Sequence, residues 1–171
     1  IALGDPVGPE EEAEELIWEF YEDTTSDGGW PVVYQTGSKY LEYYVDLGLT
    51  LFKLGEEARV PLQNFEVDES VAGTVQENTR NIAQAGYEWE ILDETTLNDH
   101  FEELKKISEA CLEAQNRQER GFSVGRFDEQ FLQNFPIAVV WKEGRIVAFA
   151  NILQGSDDQE LAIDLLRYIP E

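Results

Sequence analysis

The chain has 171 residues, enough for one domain or for two small ones sharing a core. Its 36 Asp and Glu against 12 Lys and Arg give a formal net charge of −24, so autonomous binding to nucleic acid or anionic lipid is electrostatically disfavoured. A hydrophobic content of 42 %, with four Trp, seven Tyr and nine Phe, argues against disorder, and no apolar run approaches the ~20 residues of a membrane-spanning helix.

The single Cys excludes an intrachain disulfide and fits a reducing compartment. No basic-then-apolar signal segment opens the chain, and Met is absent throughout, so the sequence is expected to be a piece of a longer protein. The acidic excess reads as solubility or adaptation to salt, with a surface for a cationic partner as the alternative.

Elements alternate along the first third. "IALGDPVG" predicts a short strand and a Gly/Pro turn. A helix follows, with Ala13, Leu16, Ile17 and Phe20 at i, i+3, i+4 and i+7 and a run of Glu at its start. "DGGWPVVYQTG" predicts a turn and a strand. "SKYLEYYVDLG" predicts a helix capped by Ser38, with Leu41, Tyr44 and Val45 inward and Gly48 as its stop. "LTLFKLGEEARVPL" predicts a long strand, bent or bulged near Gly55.

After a polar junction, "VAGTVQENTRNIAQAG" predicts a helix and "YEWEIL" a strand. "LNDHFEELKKISEACLEAQ" predicts a strong helix with Phe101, Leu104, Ser108, Cys111 and Leu112 on one side. "FDEQFLQNF" predicts a short helix with Asp128 near its start. "PIAVVWKEG", "RIVAFANILQG" and "ELAIDLLRYI" predict an antiparallel meander, its first turn at Glu143–Gly144. The class is α+β.

Familiar chemistries fail on spacing. His100 and Cys111 lie eleven residues apart on one helix, about 16 Å at 1.5 Å per residue, beyond a nucleophile–base hydrogen bond. One His and one Cys exclude an ordinary zinc site, and "GSDDQE", with Asp157, Asp158 and Glu160, lacks the spacing of a calcium loop. No metal or cofactor is expected. "GDPVGP" resembles a phosphate-binding turn, but Glu10, Glu11 and Glu12 crowd the same helix start. "QERGFS" approaches a coenzyme A loop but departs from it at Ser123 and precedes the strands instead of following the central one.

Two stretches stay open. "GFSVGRFDEQF" is a glycine-containing connection of the kind that covers a pocket. In the last segment, Leu161, Ala162, Ile163, Leu165, Leu166 and Ile169 form a near-continuous apolar run, as in a strand buried on both faces. Asp164 and Arg167 interrupt it. Three apart on a regular strand, they would face opposite ways, and a bulge would return them to one face. Buried charges there are either a structural ion pair or functional.

Taken as a set, "GDPVGP", "PVVYQTGSKYLEYYVDLGLTLFKLGEEARVPL", "AGYEWEIL", "GFSVGRFDEQFLQNFPIAVVWKEGRIVAFANIL" and "DLLRY" resemble the C-terminal cytoplasmic domain of bacterial phosphatidylglycerol lysyltransferases (multiple peptide resistance factors). The resemblance covers almost the whole chain. It implies tandem GNAT-like (acyl-CoA N-acyltransferase-like) folds, with residues 1–66 as the back half of the first and 67–171 as the front half of the second, truncated after its central strand. It implies transfer of a lysyl or alanyl group from aminoacyl-tRNA to the glycerol hydroxyl of phosphatidylglycerol, at the cytoplasmic face of the membrane. It also implies catalytic roles for Asp164 and Arg167, with Ser123, Gly125 and Arg126 at the pocket rim. The family's basic helix is reduced here to Arg80, so this piece is not expected to bind RNA by itself. An unpaired sheet edge makes a weak homodimer an expectation. The other reading is a non-catalytic GNAT-like binding or scaffold module.

Overall fold

The computed structural model describes residues 1–60, 69–123, 125–155 and 160–170. The chain divides into two compact units, Ile1–Leu62 and Gln63–Glu171.

In the first unit, β1 (Ala2–Leu3) pairs in parallel with β2 (Val33–Tyr34), with helix α1 (Ala13–Ser26) between them in sequence. A 3-10 turn at Glu10–Glu12 leads into α1, which buries Ala13 and Ile17. Helix α2 (Leu41–Asp46) buries Tyr44 and ends in a Schellman motif. There Gly48 is left-handed (φ 78°), its N–H bonds Val45 O at 2.9 Å, and Leu49 N bonds Tyr44 O at 3.0 Å. The expected N-cap Ser38 does not cap it; Tyr40 holds that position without a side-chain bond. Val45, expected inward, is exposed.

Asp5 closes this unit. Its Oδ1 accepts from the Thr36 hydroxyl and from Tyr44 OH (3.0 Å), and its Oδ2 accepts from Gly37 N (2.8 Å). The "GDPVGP" turn is therefore a structural tie, its acid consumed inside the fold. Burial, with the Asp5 carboxylate beside it, pushes the Tyr44 phenol from 10 to about 12. The unfolded chain then loses this proton first as pH rises. The stabilisation is full below about pH 10 and is lost between pH 10 and about 12. Tyr44→Phe is expected to cost about 1 kcal/mol at neutral pH through the lost hydrogen bond. The wild type should also lose on the order of 2–3 kcal/mol more than the variant between pH 10 and 12, read from urea melts at both pH values.

The predicted long strand at 49–60 is absent. These residues have no regular structure, and Phe52 and Leu54 are exposed. A β-pattern becomes a strand when a neighbouring edge supplies its hydrogen bonds, and none is provided among the described residues of the unit. The continuation of that expectation at 61–62 lies outside the described residues.

The second unit opens with α3 (Glu69–Gln84), whose turn at Gly86 (φ 82°) feeds β3 (Tyr87–Leu92). Asp93 caps α4 (Glu94–Leu97), accepting from Thr95 N and Thr96 N, while the Thr96 hydroxyl accepts from Asp93 N in a capping box. These donors, with the Thr95 hydroxyl foremost, hold the Asp93 carboxyl below its usual range. Helix α5 (Phe101–Ala114) buries Phe101, Leu104, Ser108 and Cys111 of the predicted face and Ile107 besides, while Leu112 is only half-buried. Asn116 ends it in the left-handed region (φ 51°) with an Arg117 N to Leu112 O bond of 2.9 Å.

A short α6 (Glu129–Leu132), N-capped by Asp128, precedes β4 (Ile137–Lys142) and β5 (Arg145–Asn151). Glu143 and Gly144 both have positive φ, as a two-residue hairpin turn requires. β6 (Leu153–Gln154) and β7 (Leu161–Ala162) form a small ribbon, and β8 (Leu166–Tyr168) returns to the main sheet, whose order is β3-β4-β5-β8, antiparallel throughout.

One face of this sheet packs Leu92, Ile137, Val139 and Phe149 against α5, with Leu165 sealed among them. The other carries two complete apolar rungs, Trp89–Val140–Ala148–Tyr168 and Ile91–Ala138–Ala150–Leu166. Their outer members Trp89, Ile91, Leu166 and Tyr168 are exposed. The terminal segment is thus not a strand buried on both faces. It breaks into β7 and β8, and Leu161, Ile163, Leu166 and Ile169 are all exposed, because β8 is an edge strand with only its inner face covered.

Candidate functional site

The break at 163–165 has an identifiable cause. Asn151, at the end of β5 and fully buried, accepts with its side-chain Oδ1 from Leu165 N (2.7 Å) and Asp164 N (3.2 Å), and its own N–H bonds Leu165 O (3.1 Å). A side chain here replaces backbone rungs of the ladder, so the strand kinks. Leu165 drops into the core and Asp164 turns toward the connection between α5 and α6.

There the Asp164 carboxylate accepts the backbone N–H of Gly125 through Oδ1 at 2.8 Å. A Cβ on Gly125 would approach the carboxyl carbon of Asp164 to 2.9 Å and overlap its outer oxygen. The glycine is what lets the acid dock. Among the described residues, Asp164 Oδ2 has no hydrogen-bond partner.

Arg167 stands opposite Phe149 on the core face of β8 and is only 13 % exposed. Its Nε donates to Ser108 Oγ on α5 (3.2 Å), its Nη2 pairs with Glu119 Oε2 (3.3 Å), and its Nη1 donates to Leu166 O (3.2 Å). Glu119 reaches further through its other oxygen, Oε1, which accepts from Phe127 N (3.2 Å) and, more weakly, from Ser108 Oγ (3.4 Å). The guanidinium, a hydroxyl and a carboxylate therefore form one network that straps the 119–127 connection onto the sheet.

The two expected catalytic residues thus meet the same connection, Asp164 at Gly125 and Arg167 through Glu119 at Phe127. They are not a structural ion pair with each other, since among the described residues Arg167 pairs with Glu119 instead. Three of the five guanidinium N–H donors are taken by the protein, which favours an orienting duty for Arg167 over one as a phosphate clamp.

The remaining rim candidates lie on this connection and, among the described residues, make no hydrogen bond or ion pair to either member of the pair. Ser123 is half-buried and left-handed (φ 63°). Arg126 is 62 % exposed and pairs with Asp128 Oδ2 at 3.1 Å. That pair, after the Phe131 N–H, helps hold the Asp128 carboxyl below its usual range. His100 and Cys111 are structural: His100 lies edge-on to Trp141 and 3.7 Å from Glu103, while Cys111 is buried and accepts from Gln115 Nε2 (3.3 Å). The acidic turn at Asp157 and Asp158 lies outside the described residues.

Sequence reasoning missed Asn151 and Glu119. A lone amide ending the apolar run "RIVAFAN" was a usable signal for the first. Nothing local distinguished Glu119 from the other acids of the chain.

A family model described as phosphatidylglycerol lysyltransferase, C-terminal, matches residues 1–171. A phosphatidylglycerol lysyltransferase of Bacillus subtilis is 35 % identical over 170 residues, covering 98 % of this chain and 20 % of that protein. One of Staphylococcus epidermidis is 30 % identical over 172 residues, covering 100 % and 20 %. Among solved structures, the C-terminal domain of an Agrobacterium fabrum protein assigned as a lysylphosphatidylglycerol synthetase superposes with a TM-score of 0.91 at 34 % identity. It is matched over 98 % of this chain and 53 % of that one. The L-PGS of Bacillus licheniformis gives 0.86 at 34 %, covering 98 % and 51 %. The chain spans about a fifth of the length of these curated relatives and about half of the two solved chains. The fold class is α+β and GNAT-like, as expected from the sequence.

Proposed function

Because this chain belongs to the phosphatidylglycerol lysyltransferase C-terminal family, we propose that it forms part of an aminoacyltransferase domain that moves a lysyl or alanyl group from aminoacyl-tRNA to the glycerol hydroxyl of phosphatidylglycerol. The observation that carries the reading is the kinked strand that brings Asp164 to Gly125 and Arg167, through Glu119, to Phe127. Residues 1–66 serve as the back half of one GNAT-like fold and 67–171 as the front half of a second, the complete domain acting at the cytoplasmic membrane face. Among the described residues no helix is long and apolar enough to cross a membrane.

The reaction is ester exchange. The lipid hydroxyl oxygen forms a new bond to the aminoacyl carbonyl carbon, the bond to the tRNA ribose oxygen breaks, and the hydroxyl proton ends on that ribose oxygen. One ester replaces another, so the catalyst supplies positioning, a proton acceptor and relief of charge on the carbonyl oxygen. Asp164 Oδ2 takes the hydroxyl proton or the α-ammonium of the aminoacyl group. Arg167 fixes the connection against which the acid is held. A weak homodimer through the open edge of β8 belongs to the same proposal.

The test is expression of the complete gene in a bacterium lacking aminoacylated lipid, with lipid extracts resolved by mass spectrometry. Lysyl- or alanyl-phosphatidylglycerol is expected. Unmodified lipid, from a protein that reaches the membrane intact, would instead favour the binding or scaffold reading.

A further inference from the structure

The pairing of the terminal segment changes register by one residue across the kink. Ala148, Phe149 and Ala150 face Tyr168, Arg167 and Leu166. Beyond the kink, Leu153 and Gln154 face Ala162 and Leu161, and Gly155 N donates to Glu160 O at 3.1 Å. Asn151 N still bonds Leu165 O (3.1 Å), so Ile152 alone is left to face two residues, Ile163 and Asp164. Two residues against one make a β-bulge, and Asp164 is part of it.

Asn151 stands at the seam. A regular antiparallel rung would return Leu165 N to the Asn151 carbonyl. Here the side-chain Oδ1 of the same residue takes it at 2.7 Å, and takes Asp164 N at 3.2 Å as well. The amide is fully buried, and its Nδ2 has no hydrogen-bond partner among the described residues. Its oxygen is the part in use, as acceptor for the two N–H groups that the bulge takes out of the ladder.

Hydrocarbon burial does not choose this register. Sliding the segment by one residue would erase the bulge and carry the Leu153–Ala162 pairing through β5, with Leu166 opposite Phe149, Arg167 opposite Ala148 and Tyr168 opposite Val147. The observed register seals Leu165 in the core and leaves Leu166 exposed; the slid one would exchange them. Desolvation of Arg167, only 13 % exposed as observed, works against the register the protein adopts.

Resting on the transferase reading above, we propose that Asn151 is a positioning residue that locks β8 in the register the reaction needs. Its side-chain oxygen holds the bulge, and the bulge keeps Asp164 at Gly125. The register in turn keeps Arg167 on the core face with Ser108 and Glu119. Without that oxygen, Leu165 N and Asp164 N lose their acceptor. A slide by one residue then restores an unbroken ladder at the expense of both site residues.

The register is read by disulfide trapping in the 171-residue chain with Cys111, its single native thiol, replaced by Ala. Residues directly opposite on antiparallel strands lie about 4.5–5.5 Å apart at Cα, within disulfide reach, whereas side chains on opposite faces cannot bond. Ala148→Cys with Tyr168→Cys reports the observed register, and Val147→Cys with Tyr168→Cys the slid one. With Asn151 present, only the first pair should close under mild oxidation, by thiol counts before and after reduction. Asn151→Leu should shift closure toward the second pair about tenfold or more. Asn151→Asp keeps the oxygen and should close as the wild type does. Circular dichroism verifies each fold, and Asn151→Ala carries the test if the leucine variant unfolds.

Closure of the first pair alone in Asn151→Leu or Asn151→Ala overturns the proposal, as does a slide in Asn151→Asp as large as in Asn151→Leu. In the complete enzyme, Asn151→Leu should lower transfer about tenfold or more, in step with the register. The closed Ala148→Cys/Tyr168→Cys bond should restore that transfer until reductant is added. Transfer that stays lost in the trapped register means that Asn151 acts by another route, and overturns the lock. A slide that leaves transfer intact removes instead the reading of Asp164 and Arg167, and the lock stands.

Discussion

Replacing Asp164 by Ala in the complete enzyme should lower transfer of the aminoacyl group to phosphatidylglycerol by about a hundredfold or more, the usual worth of a positioned proton acceptor. Labelled amino acid moved from charged tRNA into extractable lipid gives the rate directly. Asp164→Asn separates two duties. Its amide oxygen can still accept the Gly125 N–H, as Oδ1 does now at 2.8 Å, but it has no charge and is a far poorer base. A rate as low as that of the Ala variant assigns the loss to the missing charge. Restored activity in Asn would reduce Asp164 to a fastener, and unchanged activity in both variants would leave the proposed mechanism without a site.

The second large effect is expected at Gly125, which takes part in no chemistry. A methyl group there would overlap the carboxylate and expel it from its seat, since the added carbon would lie 2.9 Å from Asp164 Cγ. Gly125 has no positive φ, so alanine imposes no backbone penalty of its own and the effect passes through the acid. Gly125→Ala should therefore lose nearly as much activity as Asp164→Ala while melting within a few degrees of the wild type. The double variant should be no worse than either single one, because both remove the same arrangement. Additive losses would show that the two residues act separately.

Much of the second unit was legible. Periodicity placed the buried face of α5, and the letters "YEWEIL" coincide with β3, because local pattern and tertiary burial agree in both. The Glu143–Gly144 turn and the Gly48 helix stop were readable since each needs a backbone conformation few residues adopt. The segment at 49–60 was misread for the opposite reason: strand propensity is a property of a pair of edges and letters show only one. The same limit hid the edge position of β8 and made its apolar run look doubly buried. At the site, Asp164 and Gly125 were singled out, yet their contact spans 39 residues and rests on Asn151, whose role exists only once β5 lies beside the kink. Glu119 meets Arg167 across 48 residues, and in a chain with 36 acids no composition argument could select it.

The two hydrocarbon rungs on the outer face of the sheet have a bearing on how this polypeptide behaves in a tube. Trp89, Ile91, Leu166 and Tyr168 offer a greasy plane, and the large like charge on every molecule opposes its adhesion to another. Electrolyte shortens the reach of that repulsion without weakening the attraction between oily surfaces. Colloidal clarity should accordingly be best in dilute buffer, and precipitation with ammonium sulfate should begin early for so acidic a protein.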